Sequence, residues 1–181
     1  MKVVIKDSFE RMLQGLTYWL AYKDTTYKCS IIEADAVMEA CQILQGQLPR
    51  GFKVEREFSY SNISSTFVNK RADLAILDDQ NHCLAIIEFK LADSTNGGYT
   101  KDVGKLSVIK SLYRNIDCYV VILYRKSCNI DVPGKLVRKD GKATRKDIRI
   151  GGDTIRVRRV FNAISSKTAK KMKRVIWLEV L

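Results

Sequence analysis

The chain has 181 residues, 46% of them hydrophobic, and a formal net charge of +12. Such a length and apolar share fit one domain with a packed core and leave no room for long disorder, and no apolar run is long enough to span a bilayer. Five scattered cysteines without a Cys-x-x-Cys pair, and a single histidine (His82) in a polar turn, argue for reduced thiols in a cytoplasmic setting and against a zinc centre or histidine-based catalysis.

The N-terminus lacks the long apolar stretch of a signal peptide. Residues Lys6 to Lys23 carry Phe9, Met12, Leu13, Leu16, Trp19 and Leu20 at helical spacing, and the cluster Tyr18, Trp19 and Tyr22 is expected to pack in the core, with contact to a partner as the alternative. A second helix is expected over Ile31 to Leu48, with Val37, Ala40, Cys41, Leu44 and Leu48 on its apolar face. Ser30 and Glu33 have the spacing of a capping box. At 100° per residue Glu33 also falls near the centre of the apolar face, where a carboxylate needs a partner. The two readings of Glu33 are compatible.

After Pro49-Arg50-Gly51, Val54 to Tyr60 alternates as a strand, with Glu55 and Glu57 on its other face, where either could supply another carboxylate although a solvated face is expected for both. Ser61 to Lys70 is polar and reads as a loop. Next come two apolar stretches, Arg71 to Leu77 and Cys83 to Leu91, joined by the turn formers Asp78 to Asn81. They predict a hairpin, and with the preceding strand an antiparallel meander. Three charges stand in these apolar strands: Asp73, Glu88 and Lys90. Glu88 and Lys90 share a face, and folding about Gln80 brings Asp73 near Ile86 to Glu88. Two carboxylates so close repel unless a cation lies between them. Mg²⁺ takes such oxygen ligands and keeps waters in its remaining positions, and a lysine beside it could hold the attacking water. An ordinary surface ion pair between Asp73 and Arg71 or Lys90 is the bland alternative.

Gly97-Gly98 marks a loop. A helix is expected over Lys101 to Arg114, and Cys118 to Tyr124 has the continuous apolar run of a buried, parallel strand. The excess charge lies beyond it. Between Gly134 and Arg174 there are 15 Lys and Arg against three Asp, whereas the rest of the chain carries 17 of each sign. So local an excess predicts a polyanionic partner, nucleic acid first. No amphipathic helix with bulky anchors accompanies it, as a membrane partner would require. Ile148 to Ile150 and Thr154 to Val160 predict a hairpin across Gly151-Gly152, with Arg156 and Arg158 on one face. Arg149, Arg156, Arg158 and Arg159, together with Lys170 and Lys171 in a short basic segment, are the candidate phosphate contacts. Val175 to Leu181 reads as a final strand or a packed tail.

Asp73, followed after a short hairpin by Glu88-Phe89-Lys90, resembles the PD-(D/E)XK nuclease superfamily, with Ala72 in place of the motif's proline. The predicted order of helix, three strands, helix and strand over Ile31 to Tyr124 is similar to the αβββαβ core of that group. The resemblance implies an α/β restriction-endonuclease-like fold with a mixed central sheet flanked by helices. Residues 1–30 would be a helix packed on the core, 31–131 the nuclease core, and 132–181 a basic C-terminal β-hairpin extension of the same domain. It further implies Mg²⁺, with Mn²⁺ substituting, held by Asp73, Glu88 and the backbone carbonyl of Phe89. Lys90 would orient the attacking hydroxide, and Glu33 would complete the metal shell, with Glu39 as fallback. Lys105 and Asp102, on the helix after the motif, are accessory candidates. The implied activity is hydrolysis of nucleic-acid phosphodiesters, DNA favoured over RNA, leaving 5′-phosphate and 3′-hydroxyl ends. Cutting both strands of a duplex takes two subunits or two events, so a homodimer or larger complex is open. The alternative is an inactive, nuclease-like binding subunit of a larger defence or recombination complex.

Overall fold

The computed structural model describes residues 2–26, 32–92, 98–124, 136–138, 141–144, 146–164 and 172–181. A seven-stranded mixed sheet forms its middle layer: β1 (Lys53–Ser59), β2 (Arg71–Leu77), β3 (Cys83–Ala92), β4 (Asp117–Tyr124), β5 (Ile148–Ile150), β6 (Asp153–Ile164) and β7 (Met172–Val180). Their spatial order is β1-β2-β3-β4-β7-β6-β5. Helices α1 (Lys2–Thr26) and α2 (Glu33–Gln47) cover one face, and α3 (Gly98–Leu112) covers the other. The chain is therefore an α/β protein. None of the described helices is long and apolar enough to cross a membrane.

Strand pairing follows from hydrophobic patterning. The first three strands form the expected antiparallel meander, and β3 and β4 run parallel from Ala85↔Asp117 to Ala92↔Tyr124. Every residue of β4 before Tyr124 is buried, as expected of a strand covered on both faces. Alternation sorts the two cores. Ile86, Cys118, Val120 and Ile122 face α3, whereas Ala85, Ile87, Phe89, Tyr119 and Val121 face α1 and α2. Phe9 of α1 stacks on Tyr119 with ring centroids 5.0 Å apart and meets Trp177 edge-on at the same distance.

Several local expectations differ from the structure. The helix α1 extends beyond Lys6–Lys23 at both ends. Its buried stripe is Ile5, Phe9, Met12, Leu13, Leu16 and Leu20, which leaves Tyr18 and Tyr22 on the opposite side, 62% and 56% exposed instead of packed. Helix α2 begins at Glu33, two residues later than expected. Ser30 lies outside the described residues, and the donor at the helix start is Ile32 N–H, 3.4 Å from Asp35 Oδ2. The closing segment, for which a final strand or a packed tail was expected, is a strand. β7 pairs with both β4 and β6, so the C-terminal strands complete the same sheet. Gly151 and Gly152 turn the β5–β6 hairpin with φ of +60° and +96°, the left-handed pair that a tight two-residue turn requires. A register shift at Val157/Arg159 then turns Arg159 to the α1 face beside Arg156 and Arg158.

Candidate active site

The β2–β3 ladder ends at Leu74↔Ile87, although β3 continues to Ala92 alongside β4. Beyond that rung the N–H groups of Phe89 and Leu91 point into the gap without a strand partner. Carboxylates take the place of the missing ladder. Asp73 Oδ2 accepts the Phe89 N–H at 2.6 Å, and Glu33 Oε2, from the first turn of α2, accepts the Leu91 N–H at 2.7 Å. The N–H and C=O of one residue in an extended strand point to the same edge, so the Phe89 carbonyl also faces this gap. Strand divergence thus creates the site, and the acidic side chains satisfy the backbone it exposes.

Glu88 lies on the α3 side and is only 4% exposed. Its Oε1 accepts from the Tyr60 hydroxyl and is 2.6 Å from Lys105 Nζ. Tyr60 is fully buried, in the short 3-10 turn that follows β1, and Lys105 Nζ also lies 5.3 Å from the centre of its ring. Asp102, one turn before Lys105 on α3, stands 3.6 Å from the same ammonium. Burial pushes the Glu88 carboxyl up to about 7, with Lys105 and the Tyr60 hydrogen bond opposing the rise and Asp73 adding to it. Asp73 is raised too, mainly by burial, and it feels the charges of Glu33, Lys105 and Asp102. Tyr60 is held in its neutral form by burial and then by the adjacent Glu88 charge.

On the open side is a cleft of about 430 Å³, lined by Asp73, Glu33, Glu57 and Arg56, with Ile32, Val37 and Met38 supplying apolar surface. Lys90 Nζ lies 3.7 Å from Glu33 Oε1. Asp73 joins the two halves of the site, since it lines the cleft and also interacts with Lys105 behind it. The structure therefore brings together Asp73, Glu88, Lys90, Glu33, Lys105 and Asp102. Glu33 lines the cleft, whereas Glu39 is not among its lining residues.

The donor set offers hard oxygens of the kind that Mg²⁺ takes. Asp73 Oδ1 and Glu88 Oε2 accept no hydrogen bond among the described residues, so two hard oxygens remain available. They fit a cation held by one or two carboxylates. They do not make a full protein cage: among the described residues no group of three or more His, Cys, Asp or Glu is arranged to hold a metal ion.

Tyr60 escaped sequence reasoning, and Glu57 was expected on a solvated face. Tyr60 looks only like the end of a strand pattern, and nothing local announces its bond to Glu88, 28 residues away. Glu57 was recognisable as a strand carboxylate, but not as a cleft residue on the Asp73 rung with φ of +51°, a conformation rare outside glycine.

The expected arginine ribbon is present but already engaged. Arg156 binds Asp147 through Nε and Nη2 at 2.8 and 2.9 Å, Arg158 pairs with Glu179, and Arg159 lies 3.2 Å from Glu10 on α1. Lys6 shares Glu179 at 3.2 Å. Arg149 is exposed and has no ion-pair partner among the described residues. Lys170 and Lys171 lie outside the described residues. Compared with models of known families, with curated proteins and with solved structures, the chain matches none.

Proposed function

We propose that this protein is a divalent-metal-dependent nuclease with a restriction-endonuclease-like core, acting on the phosphodiester backbone of nucleic acid, with DNA favoured over RNA. The observation that carries the reading is the meeting of Asp73, Glu88, Glu33, Lys90 and Lys105 where β2 and β3 diverge. Asp73 Oδ1, Glu88 Oε2 and the Phe89 carbonyl would hold the cation. When bound there, it would offset charge on a scissile phosphate and make a water more acidic.

The chain's own groups have distinct tasks. Lys90 follows Glu88 on the α3-facing side of β3, and its ammonium, 3.7 Å from the cleft residue Glu33, would orient the attacking water. Glu33 keeps Lys90 within reach of the cleft and caps the Leu91 amide. Tyr60 and Lys105 hold one oxygen of Glu88 and leave the other for the site. The basic charge beyond Gly134 would supply affinity independent of base sequence and steeply dependent on salt.

A core that binds nucleic acid without cutting it is the second reading. The Lys105–Glu88 ion pair favours it, because an internal ammonium already neutralises the carboxylate that a metal would use. Calorimetric titration with Mn²⁺ separates the two. The nuclease reading expects saturable binding by the wild type that is lost in Asp73→Asn and in Glu88→Gln. Heat that neither substitution changes would contradict it.

A further inference from the structure

We infer that Arg174 is a site for a backbone phosphate of the nucleic-acid strand held at the carboxylates. Arg174 is only 7% exposed. Among the described residues its charge has no carboxylate partner, and its one hydrogen bond runs from Nε to Asn162 Oδ1 at 2.8 Å. Among the described residues the outer nitrogens of the guanidinium, four N–H donors, have no protein acceptor. A buried cation without a counter-charge is costly, and proteins seldom keep one unless an anion completes the site. Of the anions a strongly basic protein meets, phosphate has the geometry that a guanidinium fork binds with two parallel hydrogen bonds.

The sheet register shows where that anion would lie. Ala92, Tyr124, Arg174 and Asn162 form a single rung across β3, β4, β7 and β6. Strand alternation turns Arg174 toward α3, the face that Glu88 and Lys90 also share: Ile176 and Leu178 of β7 and Ile86 of β3 belong to that core. Two strand spacings across and two residues along separate Lys90 from Arg174, about 12 Å between Cα atoms. A strand crossing this end of the sheet from the carboxylates would pass Arg174 within a few nucleotides. Asn162 is exposed, so the guanidinium lies just beneath the surface. Gly141 lies beside the guanidinium: a Cβ there would stand in ordinary contact, 3.8 Å from Nη2.

Assignment to a nucleic-acid strand rests on the proposed function, whereas the anion site rests on the burial and pairing of Arg174. The test uses the full chain in EDTA, with wild type, Arg174→Met and Arg174→Lys. Binding of labelled single- and double-stranded oligonucleotides is measured across a salt series, and thermal stability is followed with inorganic phosphate against chloride at equal ionic strength. We expect Arg174→Met to melt higher than wild type without ligand, because it removes an uncompensated buried charge, and to lose the stabilisation by phosphate. Its oligonucleotide affinity should fall about tenfold, and the salt slope should lessen by about one. Arg174→Lys, which keeps the charge without the fork, should fall between. Arg174→Met that melts lower and binds as tightly as wild type overturns the inference while leaving the carboxylate site untouched. Stabilisation by phosphate in a wild type that binds no oligonucleotide overturns the strand assignment and the proposed function together.

Discussion

Replacing Glu88 with glutamine should stabilise the protein above neutral pH while removing a group central to the proposed chemistry. Folding lifts the Glu88 carboxyl from an ordinary 4.5 to about 7, chiefly because only 4% of the residue meets solvent. A carboxyl raised in the folded state binds its proton more tightly there than in the unfolded chain. The stability it contributes is therefore complete below about 4.5 and is lost as pH rises through about 7. At about 1.4 kcal/mol per pH unit, the rise amounts to about 3 kcal/mol. Glutamine has the shape of the protonated side chain, and because Tyr60 and Lys105 both converge on Oε1, its carbonyl oxygen can accept from both. Urea unfolding in EDTA from pH 5 to 8.5 measures the difference between the two proteins, which cancels slopes from other groups such as Asp73. The expected ΔΔG in favour of Glu88→Gln is about 1 kcal/mol at pH 5, rising to about 3 kcal/mol at pH 8. Parallel curves, or a variant less stable at pH 8 than wild type, would refute the claim that a buried, strained carboxylate stands at this site.

Lys90→Ala should abolish cleavage while leaving the circular-dichroism spectrum and unfolding midpoint nearly unchanged, since the side chain is about one-third exposed and pairs only at 3.7 Å with Glu33. Lys105→Met strips a buried carboxylate of its cation; unfolding at pH 8 should show a loss of about 3–5 kcal/mol, shrinking toward pH 5 as Glu88 takes up a proton. Tyr60→Phe deletes one donor to the same oxygen and should cost about 1.5–3 kcal/mol at pH 8 by the same assay. In salt-dependent oligonucleotide binding, Arg149→Ala should reduce the slope by about one. Alanine at Arg156, Arg158 or Arg159 should reduce it less, because Asp147, Glu179 and Glu10 already neutralise them.

The hairpin that carries Asp73, Glu88 and Lys90 was legible because two-residue alternation fixes both the strands and the face of each charge. Parallel pairing of β4 was legible from its unbroken apolar run. Partner choice was not. Glu33 reads as a capping residue, yet its oxygen satisfies the amide of Leu91, which needs a partner only because β2 turns away from β3. No local pattern encodes where two strands diverge. Tyr60, Glu88 and Lys105 meet across three elements; Glu88 and Lys105 were expected near the site, but no local pattern pairs them with each other or with Tyr60. The same limit applies to Arg158 and Arg159, whose carboxylate partners lie on β7 and α1. Tyr18 and Tyr22 point outward because a 25-residue helix buries one stripe, and a cluster of aromatics at adjacent turns does not say which stripe that is.

Cleavage of labelled DNA and RNA substrates with Mg²⁺ or Mn²⁺, with an EDTA control and with Lys90→Ala beside the wild type, tests the central claim most directly. The proposed function predicts cleavage by the wild type that disappears both in EDTA and in Lys90→Ala. Cleavage that survives chelation, or that is equal in the two proteins, would contradict it.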